Sequence, residues 1–466
     1  MIRRVQYVLA FAAFALWLTY ASVLPTSARA LPRLPASSFA PATTCICHGP
    51  QVQEWLPSMH AKALSDPVYL VKKQEADKAT GGKLGLFCDT CHTPIGTMAG
   101  QTRTGKLSPQ SREGVTCDFC HQVVGSEKHP PGDASQRLAA DGTKRAQLKD
   151  AVAPTHASAF SAFHTKAEFC GACHNLKHPT TGVALDDTYD QWAQGPYASR
   201  GIVCQDCHMS PGPGEGPVVG RAGSMGPIRD NIYLMSFAGA NVALGDPVRA
   251  RANLTRAATL TLDVPEIVAQ GEQGSVKVSV TNSGAGHRIP AGVSEIREMW
   301  LEVNAISVDG TKRALGRQQF GVVFKDAQGR YPVQLWDAVA VQSDTRIAPL
   351  DSFEASYALP MPEEERVTIE AVLNYRSFPD ELAAKAGVEN PVTVMASLER
   401  VVYASEQALR TARRDARRAD SVLGSGGLLI PLGIAAVSIA VLLLLAAFLV
   451  RRRRRVAEQD DPFSAG

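Results

Sequence analysis

At 466 residues the chain is long enough for two or three domains with a sizeable core. A formal net charge of +3 is too close to neutral for a nucleic-acid binder. Aromatic residues make up only 6%, and residues 1–250 hold few sustained apolar runs, so something other than side chains must help to fill that interior.

In chain order, residues 1–30 read as a secretory signal. Arg3 and Arg4 precede an apolar run from Val8 to Leu24, and Ala28-Arg29-Ala30 offers a small-x-small cleavage pattern. The run is also long enough to be an uncleaved anchor. Residues 31–245 form a first domain holding all ten cysteines, from Cys45 to Cys207. Helical stretches are expected there over Gln51–Leu70 and Asp187–Ala198, with Gly- and Pro-rich loops between them. Pro211–Pro227 reads as an irregular connection.

The texture changes near Asn253. Thr259–Leu262, Ser275–Thr281 and Arg366–Val372 alternate polar and apolar residues, and Asp309-Gly310 and Gln328-Gly329 mark turns. Residues 246–402 are therefore expected to form an all-β sandwich of immunoglobulin-like size. Residues 403–427 form a basic juxtamembrane linker, helical over Glu406–Asp420.

Leu428–Val450 follows with 23 uncharged residues, about 34 Å as a helix and enough to span a bilayer core. Pro431 lies in its first turn, where it costs little. Arg451–Arg455 opens the tail, residues 451–466, and favours a cytoplasmic end. Arg410, Arg413, Arg414, Arg417 and Arg418 on the near side balance that count, and the secretory signal breaks the tie. The expected fold is mixed: a mainly helical and loop domain, then the sandwich, then one C-terminal transmembrane helix. The body sits in the periplasm on the inner membrane, and Arg410–Arg418 either lies along anionic headgroups or is a solvated face.

Four motifs carry the chemistry: Cys88-Asp-Thr-Cys91-His92, Cys117-Asp-Phe-Cys120-His121, Cys170-Gly-Ala-Cys173-His174 and Cys204-Gln-Asp-Cys207-His208. Two thiols with two residues between them can add across the two vinyl groups of one haem, and the next histidine then lies beneath the iron. Zinc sites and thioredoxin-like pairs also use Cys-x-x-Cys, but neither needs the following histidine; four by chance would be on the order of one in a million. A disulfide framework leaves the histidines unexplained. A fifth site, Cys45-Ile46-Cys47-His48, is one residue short. Cys47-His48 keeps the spacing for one thioether plus a ligand, and Cys45 either reaches the second vinyl or stays unbonded. Four haem c groups are thus expected on the regular motifs, and a fifth on this one.

The segment from His48 through Gln51, Gln53 and Trp55 to Ser58-Met59-His60-Ala61-Lys62-Ala63 resembles the opening of multihaem cytochromes of the cytochrome c-554 type. The resemblance continues through Phe87–Pro94, Gly114–His121, Glu168–Asn175, Thr188-Tyr189-x-x-Trp192 and Cys204–Met209. It extends to Asn282-x-x-x-Gly286-His287-x-x-Pro290, similar to a signature in the β-sandwich of related members. It covers most of residues 40–400, and implies covalent haem c, bis-histidine ligation and periplasmic electron transfer.

Six histidines lie outside the motifs: His60, His129, His156, His164, His178 and His287. His60 is twelve residues after His48, so it should serve a neighbouring haem. His287 matches the family signature in a Gly- and Pro-bounded loop, and His156 and His164 precede the third regular motif. His129 and His178 read as surface residues. Met235 stands in Met235-Ser-Phe237-Ala-Gly239 where related chains carry a His-x-Phe-x-Gly pattern, and is either a sixth ligand or a core residue.

The leading expectation is a membrane-anchored carrier moving electrons between a donor and an acceptor that are quinone-linked or periplasmic, its partners being a quinol-linked complex or periplasmic cytochromes. The alternative is a haem enzyme that reduces or oxidises a small nitrogen or sulfur compound at a five-coordinate iron. No Cys-x-x-Cys-Lys motif, nucleophile triad or phosphate loop stands out.

Overall fold

In the computed structural model, residues 33–361 and 363–425 are described. The signal at 1–30, the apolar span at 428–450 and the tail at 451–466 lie outside them. Among the described residues no helix is long and apolar enough to cross a membrane.

Proline decides where the N-terminal helices stop. The helix expected over Gln51–Leu70 is two helices, Gly49–Trp55 and Pro67–Thr80. Pro57 lacks the amide that the next turn would need. The second helix starts at Asp66, whose Oδ1 accepts the amides of Val68 (2.8 Å) and Tyr69 (3.3 Å), with Pro67 at the first position. His60 falls in the turns between the two. The stretch expected over Asp187–Ala198 is helical only over Thr188–Gln194, because Gly195-Pro196 ends it. The apolar core of this half is small, built on Phe39, Ile95, Met98, Phe119 and Val123, and all ten cysteines are half-buried.

The second half is β-rich. Ser352–Pro360, Gln273–Thr281 and Thr259–Asp263 form one antiparallel sheet. Lys312–Phe320, Glu298–Ile306, Arg366–Arg376 and Thr393–Tyr403 form the other. Alternation puts Val276, Val278 and Val280 of one sheet and Leu301, Val303, Ile369 and Leu373 of the other into a shared core. Gly310, with φ +85°, turns the hairpin between Ile306 and Lys312, a conformation that glycine adopts without strain. A 20-residue helix, Glu406–Ser425, follows. Arg410, Arg413, Arg414, Arg417 and Arg418 are exposed on it; Arg410 pairs with Glu406 (2.9 Å) and Arg413 with Glu266 (2.7 Å).

Both halves interlock. Val68 packs with Phe378, Leu382 and Ala383, and Leu185 with Val322, Phe324 and Ala338. Beside the helix Thr188–Gln194, Arg346 reaches from the β-rich half to Asp187 (2.9 Å) and Asp344 (2.7 Å). The Arg288 amide donates to Gln191 (2.9 Å) and the Gly292 amide to Thr188 (3.2 Å). Arg346 is 6% exposed while its two carboxylates are about a third exposed, so the cluster is screened on one side only. Replacing Arg346 by Ala should lower stability by about 2 kcal/mol, below the full loss for a wholly buried pair. Guanidinium unfolding of the full chain measures it, and a change under 0.5 kcal/mol would remove this clamp from the account of the junction.

Candidate haem sites

Each regular motif is a helical turn. Cys88–His92 closes the helix Lys83–His92; Cys117–His121 and Cys204–His208 are helices in themselves; Cys170 lies in Glu168–Gly171, which runs directly on to Cys173-His174. A helix brings residues three apart to one face, so the two thiols of each motif come together. Cys45-Ile-Cys47 cannot do this. Cys45 sits at φ −82°, ψ 43°, between two 3₁₀ turns, and the second, Ile46–His48, carries the histidine.

Four of the five motif histidines present Nδ1 to a backbone carbonyl: His48 to Ala222 (2.5 Å), His92 to Ala63 (2.7 Å), His121 to Arg145 (2.7 Å) and His208 to Ala238 (2.7 Å). Donation from Nδ1–H selects the tautomer in which Nε2 is free for a metal. His174 differs, its Nδ1 lying 3.8 Å from Oδ2 of Asp186.

Opposite four of these rings stands a second histidine. Ring centroids are 6.2 Å apart for His48 and His156, 6.2 Å for His174 and His60, 6.1 Å for His121 and His164, and 6.2 Å for His208 and His287. Rings in contact would be much closer. An iron with an imidazole nitrogen about 2.0 Å away on each side places the two centroids about 6 Å apart, so these four pairs fit a hexacoordinate haem. His164 adds a second sign. Its Nε2 is 3.0 Å from the Cys120 carbonyl, and its Nδ1 is buried without a partner, free to serve as ligand.

Burial disfavours protonation of six of the rings, whereas at His174 burial is outweighed by Asp186 beside it and the pKa is raised. Burial holds His60 down at about 3, helped by His174, and His164 and His208 at about 4; His92, His121 and His287 are lowered by the same cause. The neutral imidazole is the form that binds a metal.

His92 has no histidine opposite among the described residues. Tyr69 stacks on its face at 3.7 Å and 5°, and the Tyr69 hydroxyl donates to Asp89 (2.7 Å). Met235 lies in a loop whose neighbours touch two sites: Phe237 packs on His60 at 4.6 Å and Ala238 supplies the carbonyl for His208. Met235 itself donates its amide to Glu54 (2.7 Å). His129 is exposed. His178, read as a surface residue, is 6% exposed, because its Nδ1 accepts the amides of Thr180 and Thr181 and closes a turn under the β-rich half.

His60 and His287 are held by backbone. Val115 donates its amide to the His60 carbonyl (2.9 Å), and Gly114, at φ +71°, approaches so closely that a Cβ there would lie 2.6 Å from that oxygen. Asn282, fully buried, donates to the carbonyls of His287 (2.8 Å) and Ile347 (3.0 Å) and accepts the Ala285 amide (3.1 Å).

The motifs adjoin one another. The Cys45 thiol meets that of Cys117, Cys91 meets Cys173, and Cys170 meets Cys204. The His174 motif therefore borders both the His92 and His208 motifs, while Cys120 neighbours Cys170 and links in the His121 motif. Sequence reasoning missed the aspartates within the motifs. Asp89 takes Lys73 (2.7 Å) and Tyr69; Asp118 takes Lys144, Gln122 (2.9 Å) and the Ala40 amide (2.6 Å); Asp206 takes the Tyr233 hydroxyl (2.6 Å) and the Val203 amide (2.9 Å). Their recurrence between the cysteines of three motifs was the available signal.

Residues 44–122 match the family model described as cytochrome c554 and c-prime. A penta-heme cytochrome c552 from Thermochromatium tepidum shares the fold: 22% identity, a TM-score of 0.61, 79% of this chain and all of that one covered. Shorter matches, to the CARDB domain of the PF1109 protein from Pyrococcus furiosus (12% identity, 31% of this chain, 85% of that one) and to a putative superoxide reductase from Thermotoga maritima (16%, 31%, 84%), have TM-scores of 0.18 and carry no argument. Curated proteins give no match. The haem-attachment motifs, the family match over residues 44–122 and the shared fold together support a multihaem c-type cytochrome.

Proposed function

We propose that the chain holds five haem c groups and passes electrons between a quinone-linked or periplasmic donor and acceptor, from the outer face of the inner membrane. The single observation that carries this is the repeated 6.1–6.2 Å spacing of four histidine pairs. Haem c supplies reversible one-electron exchange between ferric and ferrous iron. The chain's residues do the rest. Two histidines close both axial positions at the His48, His121, His174 and His208 motifs, which favours a carrier over a catalyst. The adjoining cysteines mark neighbouring motifs as lying side by side. The irregular site has a ring pair and a carbonyl at Nδ1 like those of the His121 and His208 motifs, which supports a fifth group there, held through Cys47.

The unpaired His92 favours a second reading, in which that iron keeps an open or weakly held position for a small nitrogen or sulfur compound. EPR of the oxidised parent protein tests it: a high-spin signal is expected on this reading, and a spectrum in which every haem is low-spin would remove it.

Intact mass and a pyridine haemochrome assay of the full chain should count five haems. His156→Ala should keep all five, because thioethers do not depend on the opposite ring, while turning one low-spin EPR signal high-spin. A count of four in the parent protein would leave the irregular site empty. Stopping the chain before Leu428 should release a red, soluble periplasmic protein, since every motif and the β-rich half precede that span. Retention in the membrane after a salt wash would assign the anchor to the N-terminal run instead.

A further inference from the structure

Among the five motif histidines, His174 faces a carboxylate where the other four face carbonyls. Asp186 is 6% exposed. Its Oδ1 is held by the Thr188 amide (2.9 Å) and hydroxyl (2.5 Å), which leaves Oδ2 turned to Nδ1 of His174 at 3.8 Å. That is a charge contact, longer than a direct hydrogen bond. None of Asp186's described hydrogen bonds or ion pairs is to Lys or Arg. The nearby Arg346 is already shared by Asp187 and Asp344. A buried, largely uncompensated anion thus lies behind one proximal ring, at the motif that borders three others.

We propose that Asp186 is a positioning residue that makes the His174 site the hardest of the histidine-paired sites to reduce. The inference rests on the haem-binding reading above. Gain of one electron takes ferric iron to ferrous and removes one positive charge. A negative charge behind the ligand in a low-dielectric surrounding favours the more positive ferric state and makes the ring a stronger donor. A neutral carbonyl does this far less. The junction of the motifs is thereby the last of the paired sites to fill, and electrons settle at its neighbours.

The test is a redox titration of the full-length haem-loaded protein followed by optical and EPR spectra. In the parent, the low-spin signal that disappears in His60→Ala, which opens the position opposite His174, should be the last paired signal to be reduced. Asp186→Asn keeps the hydrogen-bond acceptor and removes the charge. It should raise that one midpoint by at least a tenfold change in the reduced-to-oxidised ratio, about 59 mV for one electron, with the others unmoved. Asp186→Glu should restore most of the shift. Thr188→Val, which loses one hydrogen bond to Asp186 but keeps its charge, should shift the midpoint by much less. Should Asp186→Asn fail to mature, the order of reduction in the parent still decides. A His174 signal reduced before its paired neighbours, an unmoved midpoint in Asp186→Asn, or an equal shift in Thr188→Val would overturn the proposal. A parent protein with no covalent haem at Cys170 and Cys173 would instead bring down the haem-binding reading on which it rests.

Discussion

An iron held between two imidazoles would allow one ring-to-ring distance, and four histidine pairs in this fold meet it. A pair a few tenths of an ångström too wide would leave a ligand unbound; one too close would leave no room for iron. The opposing rings come from unrelated places: a turn between two proline-started helices for His60, loops before the third regular motif for His156 and His164, and the β-rich half for His287. His60 and His287 are fixed through their backbone carbonyls. Gly114 and Val115 hold the His60 carbonyl, and Asn282 holds the loop that ends at His287.

This requirement explains why a β-rich unit is fused to a domain of short helices. The cysteine-bearing half has a small apolar core of its own, and short helices of four to seven residues are unstable alone. Aspartates pin its motif turns and the β-rich neighbour packs against it, and covalent haem would add to that order. The two-sheet core is continuous and fully buried, so a loop on its edge can present His287 without moving. Arg346, Gln191 and Thr188 then tie the edge to the helix following Asp187, close to both the His174 and His208 motifs.

The sites are alike in ligands and unlike in what stands behind them. Carbonyl acceptors at His48, His92, His121 and His208 supply orientation with little charge; Asp186 supplies charge as well. Tyr69 packs a flat ring on His92 and donates to Asp89, and burial with that carboxylate pushes its hydroxyl above the ordinary phenol range, keeping it a donor. A run of chemically identical cofactors acquires different properties through such second partners.

What the sequence by itself determined was whatever depends on neighbours along the chain. The thiol spacing with its following histidine is a local pattern, readable as haem attachment at four places and as a shortened version at Cys45-Ile-Cys47-His48. Period-two alternation over Ser275–Thr281 and Arg366–Val372 marked the strands found at Gln273–Thr281 and Arg366–Arg376, because burial of one sheet face acts residue by residue. Helix ends were less legible: Pro57 and Gly195-Pro196 cut the stretches expected over Gln51–Leu70 and Asp187–Ala198, since local breakers outweigh a periodic pattern. Only tertiary structure decided which ring opposes which, that His92 has no histidine across from it among the described residues, that His178 is buried, and that Asp186 rather than a carbonyl stands behind His174. Those outcomes join residues from distant parts of the chain and depend on packing to a fraction of an ångström, and no spacing along a sequence encodes a distance across a core.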